Sequence, residues 1–353
     1  MNDLEKLAEF ICSHSLDIQP GDRVQINLMG EGMALVKSLY KVLLQLNALP
    51  HLTVKDNELV SLFFQHASQN QMRRLVEIEA AEHEWSDAVV NIVGHTEINY
   101  LDPVPSETIS FYENISKPIK LLCVERKWLT LIYPTHACAA QAGMDYTRFQ
   151  KLIFDATLQT DWQEMAIYQD ELKDRLDKGG ELTILSDDTN LTVTIQNRSA
   201  AAYWGRKNLP DGEVMIAPVE TSAEGYITFN IPSLKRGKRV SDIYLEFRNG
   251  RVTHARAGEN QGFLETLLKT DDGASFMGEL AFGTNPLITQ YTGLTLLDEK
   301  IAGTVHIALG HSYPEIGGLN SSAIHWDLIK DLRRSGCILI DNKEILLPYA
   351  PKN

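Results

Sequence analysis

The sequence predicts an α/β amino-terminal domain built on a mainly parallel sheet, followed by a β-rich α+β domain that carries the chemistry. Three observations support this. Strand-like and helix-like segments alternate over residues 1–150, a charged amphipathic helical pattern runs from Tyr146 to Lys178, and beyond the Gly179-Gly180 turn most periodic runs are strand-like. At 353 residues the chain also exceeds the size that one hydrophobic core usually supports, so the domains are expected at 1–179 and 180–353.

In chain order, LEKLAEFICSHS reads as a helix and DRVQINLM as a strand after a Pro-Gly turn. MALVKSLYKVLLQLNA has the apolar spacing of an amphipathic helix, HLTVKD that of a second strand. SDAVVNIVG and IKLLCVE are short apolar runs that continue the strand and helix alternation. GEGMAL, after the first strand, lacks both the third glycine of a dinucleotide fingerprint and the Lys-Ser/Thr of a phosphate loop, so it reads as a plain strand-to-helix turn. In the second half, ELTILSD, NLTVTIQN, GEVMIAP, GYITFNIPS, VSDIYLEFRNGRVTHARA, TVHIALG and CILIDNKEIL combine β-formers with turn signals such as Asn-Gly and Asp-Asn.

A net charge of −14, from 47 acidic and 33 basic residues, argues against a general affinity for nucleic acid. The basic stretch SLKRGKRVSD reads as a solvated hairpin end. No run approaches the length of a membrane span, and the start has no secretory pattern, so a cytoplasmic protein is expected. Cys12, Cys123, Cys138 and Cys337 are scattered and form neither a metal knuckle nor a disulfide framework.

Ligand-type side chains concentrate in the second half: Glu213 in NLPDGEVMIAP, Glu279 in GELAFGTNP, His306 in HIALGHSYP, and His325 with Asp327 in LNSSAIHWD. Three carboxylates and two imidazoles make a donor set suited to zinc, cobalt or manganese. On an extended strand His325 and Asp327, two apart, project from one face. Taken singly, each residue reads equally as a turn carboxylate or a satisfied core histidine; their joint occurrence is what singles them out.

These blocks resemble the thermophilic-type metallo-aminopeptidases, the group of aminopeptidase T, aminopeptidase S and PepS, loosely over the whole chain and closely over residues 208–345. The resemblance implies a first metal-binding Glu at Glu213, a second at Glu279, a His ligand at His306 with a catalytic Tyr at Tyr313, and closing ligands at His325 and Asp327. It further implies two divalent metal ions, release of amino-terminal residues from short peptides, and a homodimer. Either Glu279 or Asp327 would bridge the ions, Tyr313 would stabilise the developing oxyanion, and Glu224 in SAEG would be general base or hold the substrate ammonium. A related group, the 2,5-dihydroxypyridine dioxygenases, would use His325 and Asp327 around one ferrous ion, but looks to carry His in place of Glu279 and to lack counterparts of Glu213 and His306. A binding protein that keeps the fold without turnover would be expected to have lost a ligand; here all five positions are filled.

Overall fold

The structure is a computed structural model that describes residues 2–124 and 126–345. It divides into two compact units, residues 1–159 with 205–211, and residues 160–204 with 212–353.

In the first unit, strands β1 (Arg23–Gly30), β2 (Leu49–Lys55), β3 (Ala88–Gly94) and β4 (Lys127–Ile132) form a parallel sheet in the order β2-β1-β3-β4, extended by the short β8 (Asn208–Leu209). Val24, Ile26 and Leu28 of β1 line one face and are buried, the period-2 pattern a packed strand requires. The strand-to-helix turn after β1 is a plain one, ending at Gly32 with φ 137° before the helix Met33–Gln45. One expectation is corrected: IKLLCVE does not supply a strand. Its described part belongs to a helix, Lys117–Val124, while Glu125 lies outside the described residues. The fourth strand slot is taken by KWLTLI, which is richer in aromatic and β-branched residues; a short apolar run alone does not distinguish helix from strand.

The helical stretch from Tyr146 is two helices, Tyr146–Leu158 and Trp162–Lys178, the second capped by Asp161, whose carboxylate accepts from Gln163 N and Glu164 N. Leu172 and Leu176 of the second helix join the core of the second unit, so this helix belongs to that unit rather than linking two halves.

Among the described residues, the second unit contains two large antiparallel sheets and a separate two-stranded one. The larger has the order β14-β13-β10-β6-β5-β18-β19, from β5 (Glu181–Ser186), β6 (Thr189–Thr194), β10 (Glu224–Phe229), β13 (Ile243–Arg248), β14 (Arg251–Arg256), β18 (Cys337–Ile340) and β19 (Lys343–Ile345). Two of its hairpins turn at Asn249-Gly250 and Asp341-Asn342, all four residues at positive φ, as the sequence turn signals require. SLKRGKRVSD is indeed a hairpin, β11 (Ser233–Lys235) with β12 (Lys238–Val240). The smaller sheet runs β17-β16-β15-β9-β7, from β7 (Ala201–Tyr203), β9 (Glu213–Ile216), β15 (Met277–Gly283), β16 (Thr304–Gly310) and β17 (His325–Asp331).

The smaller sheet has two unlike faces. Val214, Ile216, Leu280, Phe282, Val305, Ile307, Leu309, Trp326 and Leu328 pack into one core with Leu182, Ile184, Ile227, Phe229 and Phe247 of the larger sheet. Trp326 is 1% exposed, and its indole Nε1 donates to Ser233 Oγ at 2.8 Å. Trp326→Ala is expected to destabilise the second unit by about 3–5 kcal/mol and to loosen its sequence neighbours His325 and Asp327, as read by denaturant unfolding. The opposite face of this sheet carries the candidate ligand residues.

Candidate metal centre

Register explains how the sequence assembles this face. Asp327 of β17 pairs with Ala308 of β16, which pairs with Glu279 of β15; His306 pairs with Ala281, and Glu213 of β9 pairs with Gly283. Glu213, Glu279, His306, His325 and Asp327 therefore point to the same side of four adjacent strands. Ala281 and Ala308 stand among them, keeping the surface shallow enough for the longer side chains to converge.

Two local devices set the positions. A β-bulge between Met277 and Glu279 adds Gly278 to β15, where a Cβ would lie 2.4 Å from Gly310 O. Entry to β9 is fixed by the buried Asp211, whose carboxylate accepts from the backbone N–H groups of Gly205, Arg206, Lys207 and Asn208, and by Gly212 at φ 137°, packed against Asn285.

The side chains converge closely. Glu279 stands between the imidazoles, Oε1 3.3 Å from His306 Nε2 and Oε2 3.9 Å from His325 Nε2. Glu213 Oε2 lies 3.6 Å from His306 Nε2, and Asp327 Oδ1 lies 3.3 Å from His325 Nε2. Glu213, Glu279 and His306 form one group able to hold an ion, and Glu279, His325 and Asp327 a second, with ligand atoms within 4.8 Å of one another in each. Glu279 is common to both.

A third such group contains a residue the sequence reading missed, Glu299, together with His306 and Asp327. Glu299 and Lys300 follow the short helix Thr295–Asp298 and are 8% and 1% exposed. In the sequence, Asp-Glu-Lys looks like a solvated charge run; the only hint is its place between LTLL and IAG. Glu224 is a correction in the other direction. It begins β10 of the larger sheet, is exposed, and its Oε1 accepts from Asn249 N at 2.6 Å, so it closes a turn instead of joining the cluster. Tyr313 reaches the centre, its ring 5.1 Å from the His325 ring.

The electrostatics call for a cation. Burial pushes Glu213 up to about 7, against the pull of Lys300, and burial likewise raises Glu299. Burial alone would lower His306, but its bond to Glu279 and the charges of Glu299 and Glu213 lift it to about 9. His325 also reaches about 9: Asp327 and Glu279 outweigh the burial that would lower it. Burial would raise Asp327, yet His325 holds it well below the usual carboxylate range. In the metal-free chain, protons thus supply positive charge that a divalent ion would replace. His325 Nδ1 lies 2.8 Å from His311 O, so Nδ1–H donates there and Nε2 faces the carboxylates, carrying a proton in the metal-free chain and free to hold an ion once that proton is displaced, the arrangement that orients a metal-bound imidazole. These residues fit divalent metal.

A pH dependence follows for the metal-free chain. Glu213, His306 and His325 all bind protons more tightly folded than unfolded, so stability is greatest at low occupancy of the deprotonated forms and falls as pH rises through about 7 and then about 9. The melting temperature of chelator-treated protein is expected to drop between pH 6.5 and 9, and saturating divalent metal to remove that drop. Equal pH dependence with and without metal would contradict the cluster as a metal centre.

Comparison with known proteins gives the family of the chain. The family model for thermophilic metalloproteases (M29) matches residues 1–342, and the chain belongs to that family. Aminopeptidase T of Thermus thermophilus is 38% identical over 129 residues, covering 34% of this chain and 31% of the relative, so this match spans about a third of that protein's length. Aminopeptidase PepS of Streptococcus thermophilus is 22% identical over an alignment of 381 residues, covering 93% of this chain and 91% of the relative. The solved structure of wild-type AmpT from Thermus thermophilus superposes with a TM-score of 0.84 at 23% identity, covering 98% of both chains, and so shares the fold.

Proposed function

We propose that the chain is a metal-dependent aminopeptidase that removes the amino-terminal residue from short peptides. The observation that carries the reading is the pair of three-residue groups sharing Glu279, each with its own imidazole and second carboxylate. Glu213, Glu279, His306, His325 and Asp327, joined by Glu299, would hold two divalent ions, zinc, cobalt or manganese, and Glu279 and Asp327, each in two of the three groups, are the carboxylates able to serve both. Bound there, such ions supply Lewis-acid polarisation of the scissile carbonyl and a nucleophilic water at neutral pH.

The chain's own groups bind and orient. The Tyr313 phenol is kept protonated, first by burial and then by the negative charge of Glu279, Asp327 and Glu299, which leaves it an O–H donor for the oxyanion that develops during hydrolysis. Family membership and the names of the relatives support the amino-end choice. We likewise propose a cytoplasmic homodimer, on the family resemblance; sedimentation of the purified protein tests the assembly.

The test is selectivity for the amino terminus. A short peptide such as Leu-Gly-Gly should lose its first residue, whereas the N-acetylated form should remain intact. Cleavage of both at similar rates, or release of internal fragments, would contradict an exopeptidase. Nothing in the site favours the mononuclear dioxygenase alternative, for Glu213, Glu279 and His306 are gathered with His325 and Asp327 rather than apart from them.

A further inference from the structure

We propose that Lys300 is a positioning residue of this centre: its ammonium takes one oxygen of Glu213 and one of Glu299, leaving the other oxygen of each carboxylate for a divalent cation. The inference rests on the metal-centre reading and goes beyond it, because Lys300 is not itself a ligand.

Lys300 is 1% exposed, and its Nζ lies 2.7 Å from Glu213 Oε1 and 2.7 Å from Glu299 Oε1. The other oxygen of Glu213, Oε2, is the one that faces His306 Nε2, at 3.6 Å. A lysine ammonium without water around it is costly to bury unless well paired, and here both partners belong to groups able to hold an ion. An ordinary surface ion pair would have no such placement.

The backbone delivers Lys300 rigidly. Asn285 N donates to Lys300 O at 2.9 Å, and Lys300 N donates to Leu297 O at 3.1 Å. Just before it, the buried carboxylate of Asp298 accepts from Thr292 N, Thr292 Oγ1 and Gly293 N, which closes the loop that leads into Glu299 and Lys300. Because Glu299 and Lys300 are adjacent in a turn and Glu213 lies on β9, one ammonium ties two distant segments and fixes both carboxylate planes. A carboxylate with one oxygen engaged in this way binds an ion through the remaining oxygen, and outer partners of this kind orient ligands and tune affinity.

The test uses the full chain. Zinc and manganese affinities of wild type and Lys300→Met are measured by competition with a chromophoric chelator, with circular dichroism to verify folding. Expected is a loss of about 10–100-fold in affinity for one of two ions, with little change for the other. The variant's kcat should fall at limiting metal and recover at excess metal, with KM for peptide unchanged. Equal or tighter binding of both ions by the folded variant would overturn the inference alone; failure of wild type to bind metal would overturn the metal-centre reading and the inference together. If Lys300→Met does not fold, a crystal structure of metal-loaded wild type decides. One oxygen of Glu213 on the ion and the other on Lys300 supports positioning, whereas both oxygens on the ion with Lys300 displaced overturns it.

Discussion

Glu279→Ala is expected to bind at least one fewer metal ion per chain and to lose about a thousandfold or more in kcat/KM for aminoacyl-p-nitroanilides. The size follows from its position. Glu279 is 3% exposed and belongs to two of the three ion-holding groups, so its removal strips a donor from both and leaves His306 and His325 facing one another without the carboxylate between them. Glu279→Gln keeps the volume and removes the charge, which separates loss of a ligand from loss of packing. Both variants should remain folded, because Glu279 lies opposite the apolar face that joins the two sheets. Full metal content with unchanged kinetics in Glu279→Ala would rule out a bridging role.

Tyr313→Phe should lower kcat by about 10²–10³-fold while leaving KM and metal content near wild type. The phenyl ring can keep its place beside His325, 5.1 Å between ring centroids, and beside the small apolar patch of Met215, Ala217, Ala281 and Ile316. Only the O–H is lost, and with it a hydrogen bond made to charge that appears in the transition state. A change confined to KM would instead assign Tyr313 to substrate binding, and an unchanged kcat would leave it a packing residue.

Much of the second unit was legible because its strands alternate strictly. Once HWD is placed on a strand, His325 and Asp327 must share a face while Trp326 takes the other, and the structure has Trp326 at 1% exposure in the core. The Asn-Gly and Asp-Asn turns were equally plain, since few residues tolerate positive φ there. What failed were matters that local pattern does not determine. IKLLCVE is too short and uniformly apolar to reveal its period, and a helix took it. Glu299 and Lys300 are buried only because Asp298 and Asn285 fold their loop back, a tertiary contact that Asp-Glu-Lys does not announce. Glu224 shows the reverse: its neighbourhood resembled a site block, yet its carboxylate caps the Asn249 backbone on the other sheet. Strand register places Glu213, Glu279, His306, His325 and Asp327 on one face, whereas Glu299 and Lys300 are placed by a loop.

The most direct test of the account is the metal content of the purified chain, with hydrolysis measured after chelation and after return of zinc, cobalt, manganese or ferrous ion. Two ions per chain, with hydrolysis of a free amino-terminal residue lost on chelation and restored by a divalent ion, is the predicted result. One ferrous ion per chain, with no hydrolysis but oxygen uptake on a dihydroxypyridine, would contradict it.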